Sequence, residues 1–137
     1  MTSLKPPSNN LQPTSNNQVQ VDKFTFSLKG CERDEKTVKC IFEIINRGKE
    51  EAQVASNTAQ SYIIDVSGKS YQADSLDMGG RIVDWSGSRE ATVVPGIESF
   101  VSIKIINVPS EVTYAKVLEF NTTLGKKVQF RNVPILK

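Results

Sequence analysis

The chain has 137 residues, enough for one domain around one core, and no apolar run approaches the roughly 20 residues that cross a bilayer as a helix. Its 17 basic and 15 acidic residues leave a net charge of +2, which gives no basic face of the kind a nucleic-acid partner demands. It contains no histidine, so Ser–His and Cys–His activation of a nucleophile is excluded within it, and its two cysteines do not make a four-ligand zinc site without several carboxylates.

From Thr2 to Gln18 the chain is mostly Ser, Asn, Pro, Gln and Thr, with Leu4 and Leu11 its only aliphatic residues. Such a segment buries too little apolar surface to offset the entropy of ordering it. Residues 1–17 are therefore expected to be a disordered polar tether, and residues 18–137 the folded domain. No apolar h-region follows Lys5, so the N-terminus does not read as a secretory signal. A tether of this composition commonly follows a signal peptide or membrane anchor. The expected location is extracytoplasmic, in the periplasm or at the cell surface, after removal of a leader not present in this chain.

The folded part opens on alternation, the mark of a strand with one buried face. Phe24, Phe26 and Leu28 face one way; Lys23, Thr25, Ser27 and Lys29 face the other. The charged run Glu32–Lys36 is expected to be a solvated turn, and Val38, Cys40, Phe42 and Ile44 alternate after it. If Cys31 faces Cys40 while Leu28 faces Phe42 and Phe26 faces Ile44, the first strand needs one extra residue between Leu28 and Cys31. Gly30 sits there, and glycine is a favoured bulge residue. A hairpin is expected around Ser67-Gly68-Lys69. From Ser75 to Ala91 the alternation fails, and the expectation is one long irregular loop. Thr92-Val93-Val94 leads into a turn at Pro95-Gly96, and Ser99–Asn107 alternates cleanly. Strands at Ala115–Asn121 and Lys127–Val133 close the chain. This makes seven or eight strands without a helical period, an all-β sandwich.

Four short motifs then follow in order: Asn46-Arg47-Gly48, Asp65-Val66-Ser67-Gly68-Lys69-Ser70-Tyr71, Pro95-Gly96 and Val108-Pro109. Their order and spacing resemble a bacterial family of immunoglobulin-like domains of unknown function, found in secreted proteins and lipoproteins. The resemblance covers roughly Phe24 to Phe120. It implies an immunoglobulin-like β-sandwich, an extracytoplasmic home, and a binding or spacer role with no assigned catalytic residue. The cysteine pair and the glycine-rich Met78–Ser88 segment depart from that pattern.

Cys31 and Cys40 flank a turn and are the only cysteines. An oxidising compartment would join them in a structural disulfide; free buried thiols and a redox pair are the alternatives. Redox thiols usually lie two residues apart near a helix N-terminus, and these lie nine apart on strands. Asp74, Asp77, Asp84 and Glu90 bring carboxylates into the irregular stretch. They read as solvated surface, with calcium binding and glycoside hydrolysis as rival readings. Trp85 either caps one end of the sandwich or contacts a ligand from a mobile loop. On the second reading Met78, Arg81, Asp84, Trp85 and Arg89 form the contact site. Lys126, Lys127, Arg131 and Lys137 read first as residues that keep turn and edge soluble, and second as a patch for an anionic polymer. Asn121-Thr122-Thr123 matches a glycosylation sequon that matters only in a eukaryotic secretory setting. The function expected is a non-enzymatic protein-interaction or accessory module at a bacterial membrane or cell surface. The alternative is a small-ligand or carbohydrate binder using Met78–Glu90. The partner is another protein or a cell-surface polymer, not nucleic acid, and no cofactor is implied.

Overall fold

One long hairpin organises the domain. In a computed structural model that describes residues 17–57, 61–78, 81–84, 88–121 and 127–137, β2 spans Phe24–Asp34 and β3 spans Thr37–Asn46. Their register places Cys31 opposite Cys40, Leu28 opposite Phe42 and Phe26 opposite Ile44, with the shift between Leu28 and Gly30. The extra residue is thus Lys29, beside the glycine, and Gly30 takes the positive φ of 147° that the bulge requires. The disulfide Cys31–Cys40 joins the two strands at a Cα separation of 4.0 Å.

The expected turn Glu32–Lys36 is shorter than the charge run suggests. Strand β2 continues through Asp34, which pairs with Thr37, leaving Glu35 and Lys36 as the turn. The reason is Arg33. Its guanidinium donates to the carbonyls of Val108, Pro109 and Val112, which anchors the end of β2, while Glu32, Asp34, Glu35 and Lys36 stay exposed as expected.

Ten further strands complete the described part: β1 (Gln18–Val21), β4 (Ala52–Asn57), β5 (Tyr62–Ile64), β6 (Ser70–Gln72), β7 (Ser75–Met78), β8 (Arg81–Asp84), β9 (Ser88–Val93), β10 (Ser99–Ile105), β11 (Tyr114–Asn121) and β12 (Lys127–Leu136). One half of the main sheet runs β2-β3-β10-β7-β8 and the other β6-β5-β11-β12. They meet where β12 pairs in parallel with β2, at Ile135–Cys31 and Leu136–Glu32. β1 pairs with β2 over Phe24–Ser27, and β4 and β9 form a separate ribbon. Sheets of strand order A-B-E-D and C-F-G define an immunoglobulin sandwich. Here β2-β3-β10-β7 takes the first order and β5-β11-β12 the second, with chain order A to G preserved. The fold is therefore an all-β sandwich of this connectivity. The expected seven or eight strands correspond to its frame together with β6, the return strand of the hairpin expected around Ser67-Gly68-Lys69; β1, β8 and the β4–β9 ribbon are added to it.

The core lies between the two halves. The Phe42 ring stacks on Phe120 at 5.1 Å and meets Phe130 at 5.6 Å, while Phe26 tilts against Phe120 at 6.2 Å. Val101, Ile103 and Ile105 of β10 are buried beneath them, as their alternation expects. Fully burying a side chain of this size contributes roughly 1.5–3 kcal/mol, so these rings and aliphatics dominate the stability.

Of the expected tether, residues 1–17, all but the last lie outside the described residues. Asn17 is described, and its carbonyl accepts the Leu28 N–H at 2.8 Å.

Candidate functional site

The loop expected from Ser75 to Ala91 is corrected by the strands found there. Met78 ends β7 and pairs with Arg81, which opens β8; Asp84 ends β8 opposite Ser75. Arg89 lies in β9 opposite Ser56. Trp85 lies outside the described residues. The physical reason is brevity: four-residue strands show too little alternation to stand out from glycine and serine. Gly79-Gly80 between two apolar-containing triplets is nonetheless a two-residue hairpin signal. The hairpin places Met78, Arg81 and Asp84 at the margin of the β3-β10-β7 layer. Arg89 belongs to the ribbon, whose β9 lies against β7 and β8.

The four motifs of the sequence all serve the backbone. Asn46 is buried; its amide donates to the carbonyls of Glu50 and Val93, and its oxygen accepts the Gly48 N–H at 2.8 Å. A Cβ on Gly48 would lie 2.8 Å from Lys23 Cδ. The Asp65 carboxylate accepts the N–H groups of Ser67 and Lys69, the Ser67 hydroxyl and the Tyr71 hydroxyl. The Ser67 hydroxyl, with the other donors, holds the Asp65 carboxyl below its usual range against a smaller opposing effect of burial. Val94-Pro95-Gly96-Ile97 closes with the Ile97 N–H on the Val94 carbonyl and Gly96 at φ 78°, the form with proline second and glycine third. Val108 and Pro109 supply carbonyls to Arg33. None of these residues is left over for chemistry on a ligand.

Two outer faces remain. On the first, Glu119 of β11 is only 2% exposed, between Tyr62 of β5 and Gln129 of β12 in one cross-strand row. Tyr62, Gln129 and Asn121 donate to its carboxylate at 2.9, 2.7 and 3.1 Å, and the Lys127 ammonium lies 3.7 Å away. Burial pushes the Glu119 carboxyl up, but the three donors and Lys127 outweigh it and hold the group below its ordinary value. The hydrogen bond to Glu119 pushes the Tyr62 phenol up. The cluster is saturated, so it locks β5, β11 and β12 rather than offering an open acid.

The second face belongs to β3, β10 and β7. Phe100 opposes Glu43 and is 54% exposed. The next outward row is Ile41, Ser102 and Asp77, and the one after it Lys39, Lys104 and Ser75. These side chains line two adjoining shallow troughs, the one against Phe100 holding about 280 Å³. At its end the Glu43 carboxylate, itself buried, meets Lys29 at 3.6 Å. A hydrogen bond to Glu43 pushes the neighbouring Glu98 carboxyl up. The sequence carried a signal for this face: Phe100 alternates in step with Ser102 and Lys104, not with Val101 and Ile103.

Among the described residues no three His, Cys, Asp or Glu side chains gather to hold a metal ion, and no helix is long and apolar enough to cross a membrane. No family model matches the chain, and no curated protein matches it. Among solved structures it is similar to an uncharacterised β-sandwich protein of Clostridium difficile 630. The two are 15% identical, with a TM-score of 0.45, over 85% of this chain and 89% of that one.

Proposed function

We propose that this chain is a non-enzymatic interaction module working outside the cytoplasm, with the outer face of β3, β10 and β7 as its contact surface. The observation that carries the reading is Phe100, a large aromatic held in the open by a rigid strand among polar neighbours. An exposed aromatic anchor on a fixed scaffold is the usual centre of a binding surface. The Cys31–Cys40 disulfide supports the compartment, because disulfides persist in oxidising surroundings. The immunoglobulin-like family resemblance, with its secreted and lipoprotein members, points the same way. The rival reading is a carbohydrate binder built on Met78–Glu90, a span that contains β8 and the adjoining ends of β7 and β9.

The test is retention on an envelope fraction prepared from the source cell. Wild-type protein should sediment with it, and Phe100→Ala should stay in the supernatant while melting at nearly the same temperature. Retention that ignores Phe100→Ala, or no retention at all, would refute the reading.

A further inference from the structure

We infer that the β3-β10-β7 face takes an acidic oligosaccharide, a chain of sugars bearing carboxylate groups, with Phe100 as its stacking platform and Lys39 and Lys104 as its anion site. The inference rests on the reading of this face as the contact surface and names the partner class.

Lys39 and Lys104 are directly opposite each other across β3 and β10. Like charges in that relation disfavour the pairing of their strands. Glu32 opposes Lys39 from the other side, on β2, and Asp77 lies one row away on β7. Among the described residues neither lysine forms an ion pair with them or with any other carboxylate. Two exposed ammonium groups side by side, neither within ion-pair distance of those carboxylates, fit one carboxylate placed between them.

The space between the lysines and Phe100 fits sugar better than protein. Along β10, Phe100 and Lys104 lie four residues apart, about 13 Å at the rise of a strand. Ile41 and Ser102 form the floor between them, and Gly30, opposite Ile41 on β2, adds no side chain there. Asp77 forms one side. The centre of a protein–protein interface is depleted in Lys, Asp and Ser, and these are the residues that surround Phe100. A sugar ring offers an apolar C–H face for the phenyl ring and hydroxyls for the Ser102 hydroxyl and the Asp77 carboxylate.

The experiment titrates the full chain with three probes: an oligomer of galacturonic acid, a neutral oligomer of galactose, and poly-L-glutamate, followed by backbone amide shifts and calorimetry. The uronate oligomer should move the amides of Ile41, Phe100, Ser102 and Lys104, and bind at least tenfold more tightly than the other two. Phe100→Ala and, separately, Lys39→Glu with Lys104→Glu should each weaken it at least tenfold, the second also flattening its salt dependence. Should Phe100→Ala fail to fold, Phe100→Leu keeps the apolar bulk without the ring and serves as the same test. Equal binding of poly-L-glutamate on this face would overturn the sugar assignment and leave the contact surface standing. Shifts confined to another face would overturn both. Binding of none of the three would overturn the assignment to an acidic oligosaccharide, while envelope retention sensitive to Phe100 would still uphold the surface.

Discussion

At the scale of single residues, Glu119 shows how a charge is kept inside a β-sandwich. A buried carboxylate is tolerated when donors satisfy it, and here three side chains and one ammonium do so. Replacing it with alanine leaves those donors to water or to nothing, at a cost of about 1–3 kcal/mol. The pH dependence follows from the direction of its shift. Because the folded carboxyl titrates below its ordinary value of 4.5, its contribution is complete above that value. It is lost as pH falls through the lower, folded one. Urea melts of wild type and Glu119→Ala should therefore differ at pH 7 and converge toward pH 3. A difference that stays constant over that range would mean the charge is not what stabilises. Little of this was legible beforehand, because Glu119 sits in a strand whose outward positions read as ordinary surface. Burial at an outward position depends on what long side chains from β5 and β12 cover it, which no local pattern encodes.

The β2–β3 hairpin is the element whose sequence said most. Alternation gave the faces, and matching apolar faces left one residue too many, so the bulge and the cysteine pairing followed together. Local pairing is legible because both partners lie within one short span. The β7–β8 hairpin obeys the same rule but is too brief to show it, and β4 pairs with β9 across some thirty intervening residues, beyond any local signal. The disulfide closes a short loop, so the chain-entropy model gives it roughly 2.5–3 kcal/mol. Both cysteines are buried, so the bond is shielded from reductant in the folded state. Protein purified under oxidising conditions should yield no free thiol even when unfolded in denaturant. After reduction the unfolding midpoint should fall by no more than that free energy. Two reactive thiols in the unreduced, unfolded protein would remove the bond and the argument for an extracytoplasmic home built on it. A loss well above 3 kcal/mol would instead show that the hairpin cannot hold its register without it.

For the whole molecule, the decisive contact is the one that joins the two halves of the sheet. The all-β class was legible from composition and period, but the immunoglobulin order arises from pairings between distant segments: β3 with β10, β5 with β11, and β12 with β2. The last is parallel and only two residues long, Ile135–Cys31 and Leu136–Glu32. The Ile135 N–H also donates to the Thr113 carbonyl at 2.9 Å, so the end of β12 is held by the approach to β11 as well as by β2. The strand expected to end at Val133 runs to Leu136 for this reason. Adjacent residues at the seam have opposite environments: Ile135 is buried, whereas Leu136 is 58% exposed. Ile135→Ala should then cost about 2–4 kcal/mol, the range for emptying a buried aliphatic site. Leu136→Ala should stay within about 0.5 kcal/mol, as surface changes do. Chemical denaturation of the two variants beside wild type measures both. Equal losses would mean that the seam is held by backbone pairing alone and that the core does not reach it. A large loss only for Ile135→Ala would mark the seam as the place where the hydrophobic core closes the sandwich. Truncation before Ile135 should then be more damaging than Ile135→Ala, because it removes the backbone pairing along with the side chain.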